Sequence, residues 1–338
     1  MQNRIFLKYD FRCAPFSPVS HQDLYACALE QVQWAEQHGV GTVMVCEHHG
    51  TDDGYCPSPL TTLSAMAAVT QRMRLVTSVL ILPFHDPLRL AEDIAVLDII
   101  SNGRVDLVVA AGYIPSEFDQ FGVSLKRRPS MVEESINTMR QAWTATPFEY
   151  RGRTVKVTPA PVQEGGPQII LGGSSDAAAR RAARLADGYM PAVPETFMAY
   201  IEESHKLGKT ALILREQGPL FLYVSDDPDR AWAEIAPYAM HETNCYSRWA
   251  AEAGMDNSFY QAAADADALR ATGMYAVLTP EECIAMAKGL GDLGAIALHP
   301  LMSGMPPELS WASLELFADK VLPELQVDSG SVFAVDRM

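Results

Sequence analysis

The chain has 338 residues, 48% of them hydrophobic and 20% charged, and carries a net charge of −16. That composition belongs to a globular protein long enough to bury a large core. The acidic balance argues against nucleic acid and anionic membrane as partners.

No uninterrupted apolar run approaches the length of a membrane span, and the opening residues Met1 to Phe6 have no secretory h-region. The six cysteines show neither C-x-x-C nor zinc-finger spacing, so a reduced, cytoplasmic setting and no metal are expected.

Residues 5–9 alternate and are short, which predicts a strand. Ser20, with Asp23 three positions on, resembles a capping box and starts a helix that Gly39 ends. Residues 43–46 are a buried strand running into Glu47-His48-His49. Pro57-Ser58-Pro59 opens the next helix. Residues 73–82 are apolar on both faces except at Thr77 and Ser78, as in a buried parallel strand. Asp86 caps the helix that Pro87 begins.

Residues 105–111 are a fourth strand, opening into Gly112-Tyr113. A helix begins at about Pro129, and a hairpin covers 148–157 with its turn at 151–153. Residues 168–171, 188–192, 219–225 and 295–300 are strands five to eight. Residues 226–294 are read as helical stretches, 309–322 as a closing helix and 327–338 as a loose tail. Eight strands, nearly all followed by helices, predict a (β/α)8 TIM barrel, one domain over residues 1–326, with insertions after strands 4 and 7. The competing doubly wound sheet lacks its G-x-G-x-x-G turn.

Three ionisable groups at the mouth of an apolar strand are costly unless paired or used. Glu47-His48-His49 is therefore a solvated turn, a Glu-His pair holding a loop, or a site, standing where parallel α/β proteins place their catalytic groups. Gly172-Gly173-Ser174-Ser175 precedes a helix, so it is either a tight turn with its N-cap or an anion site built from backbone N–H groups and hydroxyls. Arg180, Arg181 and Arg184 lie past the first turn and read as a surface face. Thr77-Ser78 reads as bonded to backbone, and Arg104, following a helix that bears Asp98, as structural pairing. His241, Trp249 and His299 find no partner in the sequence pattern. No Gly-x-Ser-x-Gly, H-E-x-x-H or Walker loop is present.

Taken in order, several stretches carry a resemblance: E-H-H at 47–49, R-M-R-L-V-T-S-V-L-I-L-P-F-H-D-P-L-R-L-A-E-D at 72–93, L-D-I-I-S-N-G-R at 97–104, A-A-G-Y at 110–113, S-E-F-D-Q-F-G at 116–122 and G-G-S-S-D-A-A-A-R-R-A-A-R-L-A-D-G at 172–188. Together they resemble the bacterial luciferase-like family of flavin-dependent oxidoreductases. The resemblance implies a (β/α)8 barrel with a flavin or deazaflavin at its C-terminal mouth. It makes His48 the active-site histidine with Glu47 beside it, and puts a non-prolyl cis peptide at Ser78–Val79 against the flavin. It makes Gly172, Gly173, Ser174 and Ser175 the phosphate turn, and puts Gly112 and Tyr113 beside the ribityl–phosphate arm.

Where FMN users often have an arginine, this chain has Ala111, so a phosphate contact there would come from elsewhere, such as Arg127 or Arg128. A-A-G-Y and G-G-S-S resemble users of coenzyme F420, whereas E-H-H resembles users of FMN. The reaction implied is monooxygenation of a small organic substrate such as an aldehyde, ketone or sulfonate, using O2 and reduced FMN from a separate flavin reductase. The alternatives are F420-dependent hydride transfer and non-catalytic flavin binding. The family also implies a homodimer.

Overall fold

The computed structural model describes residues 4–214, 218–255, 262–290 and 295–327. Most of the expected tail at 327–338 lies outside the described residues. In chain order the strands are β1 (Arg4–Tyr9), β2 (Thr42–Val45), β3 (Arg74–Ile81), β4 (Val105–Ala110), β5 (Phe148–Tyr150), β6 (Arg153–Val155), β7 (Gln168–Gly173), β8 (Gly188–Pro191), β9 (Phe221–Val224), β10 (Tyr275–Leu278) and β11 (Ala295–Leu298). The chain divides into two compact units. Among the described residues, one comprises 4–44, 48–57, 218–255, 262–290 and 295–327; the other comprises 45–47 and 58–214.

In the first unit the strand order is β10-β9-β11-β1-β2. The pairs β10·β9, β9·β11 and β11·β1 are parallel. In the second unit the order is β3-β4-β7-β8 and all three pairs are parallel. The fold is thus α/β with a parallel sheet, and the strands are buried as parallel strands should be: β2 and β9 wholly, β4 at every residue but the last. The hairpin expected at 148–157 is present as the antiparallel pair β5·β6.

The eight-strand count missed β10. Tyr275–Leu278 is four residues long and sits in a segment otherwise read as helical. Its register is set by tertiary pairing, Tyr275 to Phe221 and Leu278 to Val224. The local signal that could have marked it is the helix start just behind it. There Thr279 and Glu282 form a reciprocal capping box at the head of the helix Pro280–Gly289.

The other helix starts follow the sequence. Ser20 accepts from Asp23 N at the head of α1 (His21–Gln37). The helix α2 (Pro59–Val69) begins at a proline. Asp86 accepts from Leu88 N and Arg89 N at the head of α3 (Pro87–Ser101).

Arg104 has a structural role, carried by guanidinium bonds to main-chain carbonyls and one hydroxyl. They reach the carbonyls of Ser101 at 2.6 Å, Met73 at 2.8 Å, and Ala67 and Thr70 at 3.0 Å, with Thr70 Oγ1 at 2.9 Å. The oxygens of Asp98 accept from Val162 N, Gln163 N and Gln163 Nε2. Arg104 is buried, so truncation would leave several carbonyls dry and unpaired. We expect Arg104→Ala to lower stability by about 3 kcal/mol or more, read as a shift in urea midpoint with unchanged slope.

Candidate active site

In the first unit, polar residues gather just past the C-terminal ends of β1, β2 and β11. Asp10 follows β1, His299 follows β11, and His48 lies three residues beyond β2. The long helix Pro228–Glu252 adds His241, Glu242, Cys245, Tyr246 and Trp249. At the centre is Arg12, fully buried. Its guanidinium carbon lies over the rings of Tyr55, Tyr246 and Trp249, 4.8, 5.0 and 5.1 Å from their centroids. Its Nε is 3.5 Å from both Asp10 Oδ2 and Asp53 Oδ2, and Nη1 reaches the Glu242 carbonyl at 3.5 Å. Burial opposes the charge on Arg12, but Asp10, Tyr246 and Asp53 outweigh it and raise the guanidinium pKa.

The same rings enclose His48. Its imidazole is edge-on to Tyr55 at 4.8 Å and 4.5 Å from Trp249, and the hydroxyls of Tyr55 and Tyr246 meet at 2.9 Å. The backbone N–H of His48 donates to Cys56 O at 3.2 Å. His48 is 8% exposed, so it sits in an aromatic cage in which its ring orientation is set by packing. His49 is half-buried beside it in the chain.

Burial raises the Asp53 carboxyl, but the hydrogen bond from His241 and the charge of Arg12 hold it well below the usual carboxylate range. His241 is pushed up to about 9 by its bonds to Asp53 and Cys245, against burial. Asp10, raised by burial, is lowered overall by His299 and Arg12.

The second unit holds the other predicted residues. The carboxylate of Glu47 accepts from Ile81 N and contacts His85 Nε2 at 2.8 Å. The Ser78–Val79 peptide is cis, as the resemblance implied, and the β3·β4 register shifts between Ser78 and Leu80. Thr77 Oγ1 donates to Val108 O, the backbone bond expected there. Ala111, Gly112 and Tyr113 follow β4, all half-buried. Gly112 has φ +72°, and a Cβ there would come within 2.8 Å of Ile81 Cγ2 and 3.1 Å of the Phe118 ring.

Gly172 and Gly173 end β7. Ser175 caps the helix α4 (Asp176–Leu185), accepting from Ala178 N, and both Ser174 and Ser175 are exposed. A Cβ on Gly172 would lie 3.6 Å from Ala110 Cβ, so the ends of β4 and β7 are neighbours. The α4 arginines form a surface face, with Arg181 paired to Glu133 and Arg184 to Glu203.

Sequence reasoning missed Asp10, Arg12, Asp53, Tyr55, Tyr246 and Cys245, and left Trp249 without a partner. The one local hint was position: Asp10 and Arg12 directly follow a buried strand, as Glu47 and His48 do.

The family model of luciferase-like monooxygenases matches residues 1–295, and the chain belongs to that family. The oxygenase component of a flavin-dependent trigonelline monooxygenase from Acinetobacter baylyi is 29% identical over 157 residues, covering 44% of this chain and 43% of that protein. Curated relatives are spanned over 43% to 64% of their own length. Among solved structures, the monooxygenase RslO1 from Streptomyces bottropensis is 25% identical with a TM-score of 0.77, over 95% of this chain and 99% of that one. The oxygenating constituent of 3,6-diketocamphane monooxygenase from Pseudomonas putida, in complex with FMN, shares the fold at 19% identity and TM-score 0.74, over 97% and 100%. An F420-dependent secondary alcohol dehydrogenase shares it at 18% identity and TM-score 0.66, over 96% and 99%. Among the described residues no helix is long and apolar enough to cross a membrane.

Two outcomes are expected. Gly112→Ala must accept a left-handed backbone and crowd Ile81 and Phe118, costing about 2 kcal/mol in chemical denaturation. His241 has a folded pKa raised above its unfolded value of about 6.5, with Asp53, Cys245 and Arg12 facing it. Its stabilising contribution is complete below pH about 6.5 and lost as pH rises through the folded value of about 9. Urea midpoints in chelator-containing buffer should fall across that window, and the fall should vanish in His241→Gln.

Proposed function

We propose that this member of the luciferase-like monooxygenase family binds reduced FMN and uses O2 to oxidise a small organic substrate. Two features at strand C-termini, one in each unit and each taken by itself, support the reading. One is His48, caged by Tyr55 and Trp249. The other is the set of neighbouring strand ends bearing Ser78–Val79, Gly112 and Gly172–Ser175. The (β/α)8 barrel expected from the sequence belongs to this reading and is supported by the solved structures above.

The donor set fits a phosphate. Exposed hydroxyls of Ser174 and Ser175 stand at the N-terminus of a ten-residue helix whose first N–H groups need acceptors. Asp176 in the first turn opposes an anion, so the hydroxyls and N–H groups would do the holding. Ser78, Val79, Ala111, Gly112 and Tyr113 would line the flavin. When bound, reduced FMN would supply the two electrons that O2 chemistry requires.

The chain's own residues supply the rest. His48, held in one orientation by ring packing, would donate or accept the proton the reaction moves. Tyr55, Tyr246 and Trp249 would keep water from it. Glu47, its carboxylate fixed by Ile81 N–H and His85, would hold the backbone from which His48 projects. A separate flavin reductase as partner follows from the same reading and is supported by the trigonelline relative being an oxygenase component. So does a homodimer, which light scattering would test. Ala111, standing where FMN users often carry an arginine, favours a second reading, F420-dependent hydride transfer.

Anaerobic fluorescence titration separates the two. The first reading predicts saturable binding of reduced FMN, weaker binding of reduced riboflavin, which lacks the phosphate, and no competition by F420. Tight F420 binding without FMN binding would overturn it.

A further inference from the structure

Three side chains in the first unit converge on one point and have no role in the reaction proposed above. Asp53 Oδ2 is 2.9 Å from His241 Nε2, His241 Nε2 is 3.6 Å from Cys245 Sγ, and Cys245 Sγ is 3.9 Å from Asp53 Oδ2. Tetrahedral zinc with ordinary Zn–O, Zn–N and Zn–S bonds sets its ligand atoms about 3.4 to 3.6 Å apart. The triangle is therefore close to what three ligands of one ion require, before any ion draws them in.

A nucleophilic Cys-His-Asp relay is excluded by the same geometry. A relay needs the thiol on one ring nitrogen and the carboxylate on the other. Here both face Nε2. The contrast with His299 is instructive: Asp10 Oδ1 lies 3.5 Å from its Nε2 and Glu242 Oε1 lies 3.5 Å from its Nδ1. Those carboxylates flank different ring nitrogens, so they do not converge on one nitrogen as Asp53 and Cys245 do, although one ligand atom from each of the three residues also lies within 4.8 Å of the others.

The scaffold suits a site. His241 and Cys245 are one turn apart on one face of the helix Pro228–Glu252, and Asp53 comes from the loop after β2. Asp53 and Cys245 are buried, and Asp53 Oδ1 makes no hydrogen bond. The His241 side chain is 16% exposed, which leaves an entry path and room for a water as fourth ligand. The two anionic ligands are oriented from behind: Arg248 Nη2 donates to Cys245 Sγ at 3.0 Å, and Arg12 Nε is 3.5 Å from Asp53 Oδ2.

We propose that Asp53, His241 and Cys245 form a binding site for a zinc-class divalent cation, with Oδ2, Nε2 and Sγ as three of its ligands. Binding displaces the Cys245 thiol proton and the His241 Nε2 proton to solvent, leaving the thiolate and a neutral imidazole on the metal. The ion would tie the loop bearing Asp53 and Tyr55 to the helix bearing Tyr246 and Trp249, and so tighten the cage around His48.

The test is cobalt substitution of the full chain after removal of metal with chelator. The expected result is one equivalent of Co2+ with a thiolate-to-metal charge-transfer band, displaced by Zn2+. The band should be lost in Cys245→Ser, kept in Cys283→Ser, and weakened at least tenfold in Co2+ affinity in His241→Gln, which keeps a partner for Asp53. Zn2+ should raise the melting temperature of the wild type. A wild type without the band, or a band that survives Cys245→Ser, overturns the proposal even if a variant folds poorly, because the wild type alone can fail. Because these readouts need no flavin, loss of the metal proposal would leave the flavin reading standing, and the reverse also holds.

Discussion

The burial of Arg12 is the constraint on which the first unit's site depends. A guanidinium removed from water is costly unless its charge and its donors are met. Here Asp10 and Asp53 balance the charge and three ring faces take the place of solvent, while Nε and Nη2 are left without a hydrogen bond. Because a guanidinium is flat and rigid, satisfying it fixes the planes of Tyr55, Tyr246 and Trp249 together. Those planes are the walls of the His48 cage. The orientation of the proposed proton-transfer group is thus set by a cation that never needs to touch the substrate. Asp53 joins this cation to His241, which extends the same rigid network to the helix carrying half the cage.

The second unit solves a different problem. Its strand ends carry few bulky groups: Ser78, Ala110, Ala111, Gly112, Gly172 and Gly173 leave backbone accessible where side chains would otherwise fill the space. The need for glycine is not the same at each position. At Gly112 a side chain would collide with Ile81 and Phe118, so packing and a left-handed φ both demand it. At Gly172 a Cβ would meet ordinary contacts only. A requirement there would have to come from a ligand, which is what the phosphate reading supplies.

The parts of this arrangement that were legible in the sequence are those written locally. Buried parallel strands read as mostly apolar runs at 73–82 and 105–111. Ser20, Asp86 and Pro87 announce their helices through capping chemistry. Glu47-His48 and Gly172–Ser175 stand out because polar or glycine-rich residues directly follow such strands. The Arg12 cluster was not legible. Its members come from positions 10–12, 53–55, 241–249 and 299, and no periodicity or spacing records a contact across more than two hundred residues. Cys245 illustrates the cost: read alone it was one of six thiols without a motif, and only the fold brings it to Asp53. Tyr275–Leu278 was missed for a related reason, since a four-residue strand is specified by its neighbour Phe221–Val224 more than by its own composition.

We propose that the caged imidazole of His48 moves the proton in a reduced-FMN-dependent oxidation. The most direct measurement compares wild type and His48→Ala, each supplied with reduced FMN by a flavin reductase under O2, against a panel of small aldehydes, ketones and sulfonates. The account predicts that the variant binds reduced FMN within about threefold of the wild type while product formation falls about a hundredfold or more. Product formation that is unchanged in His48→Ala would contradict it.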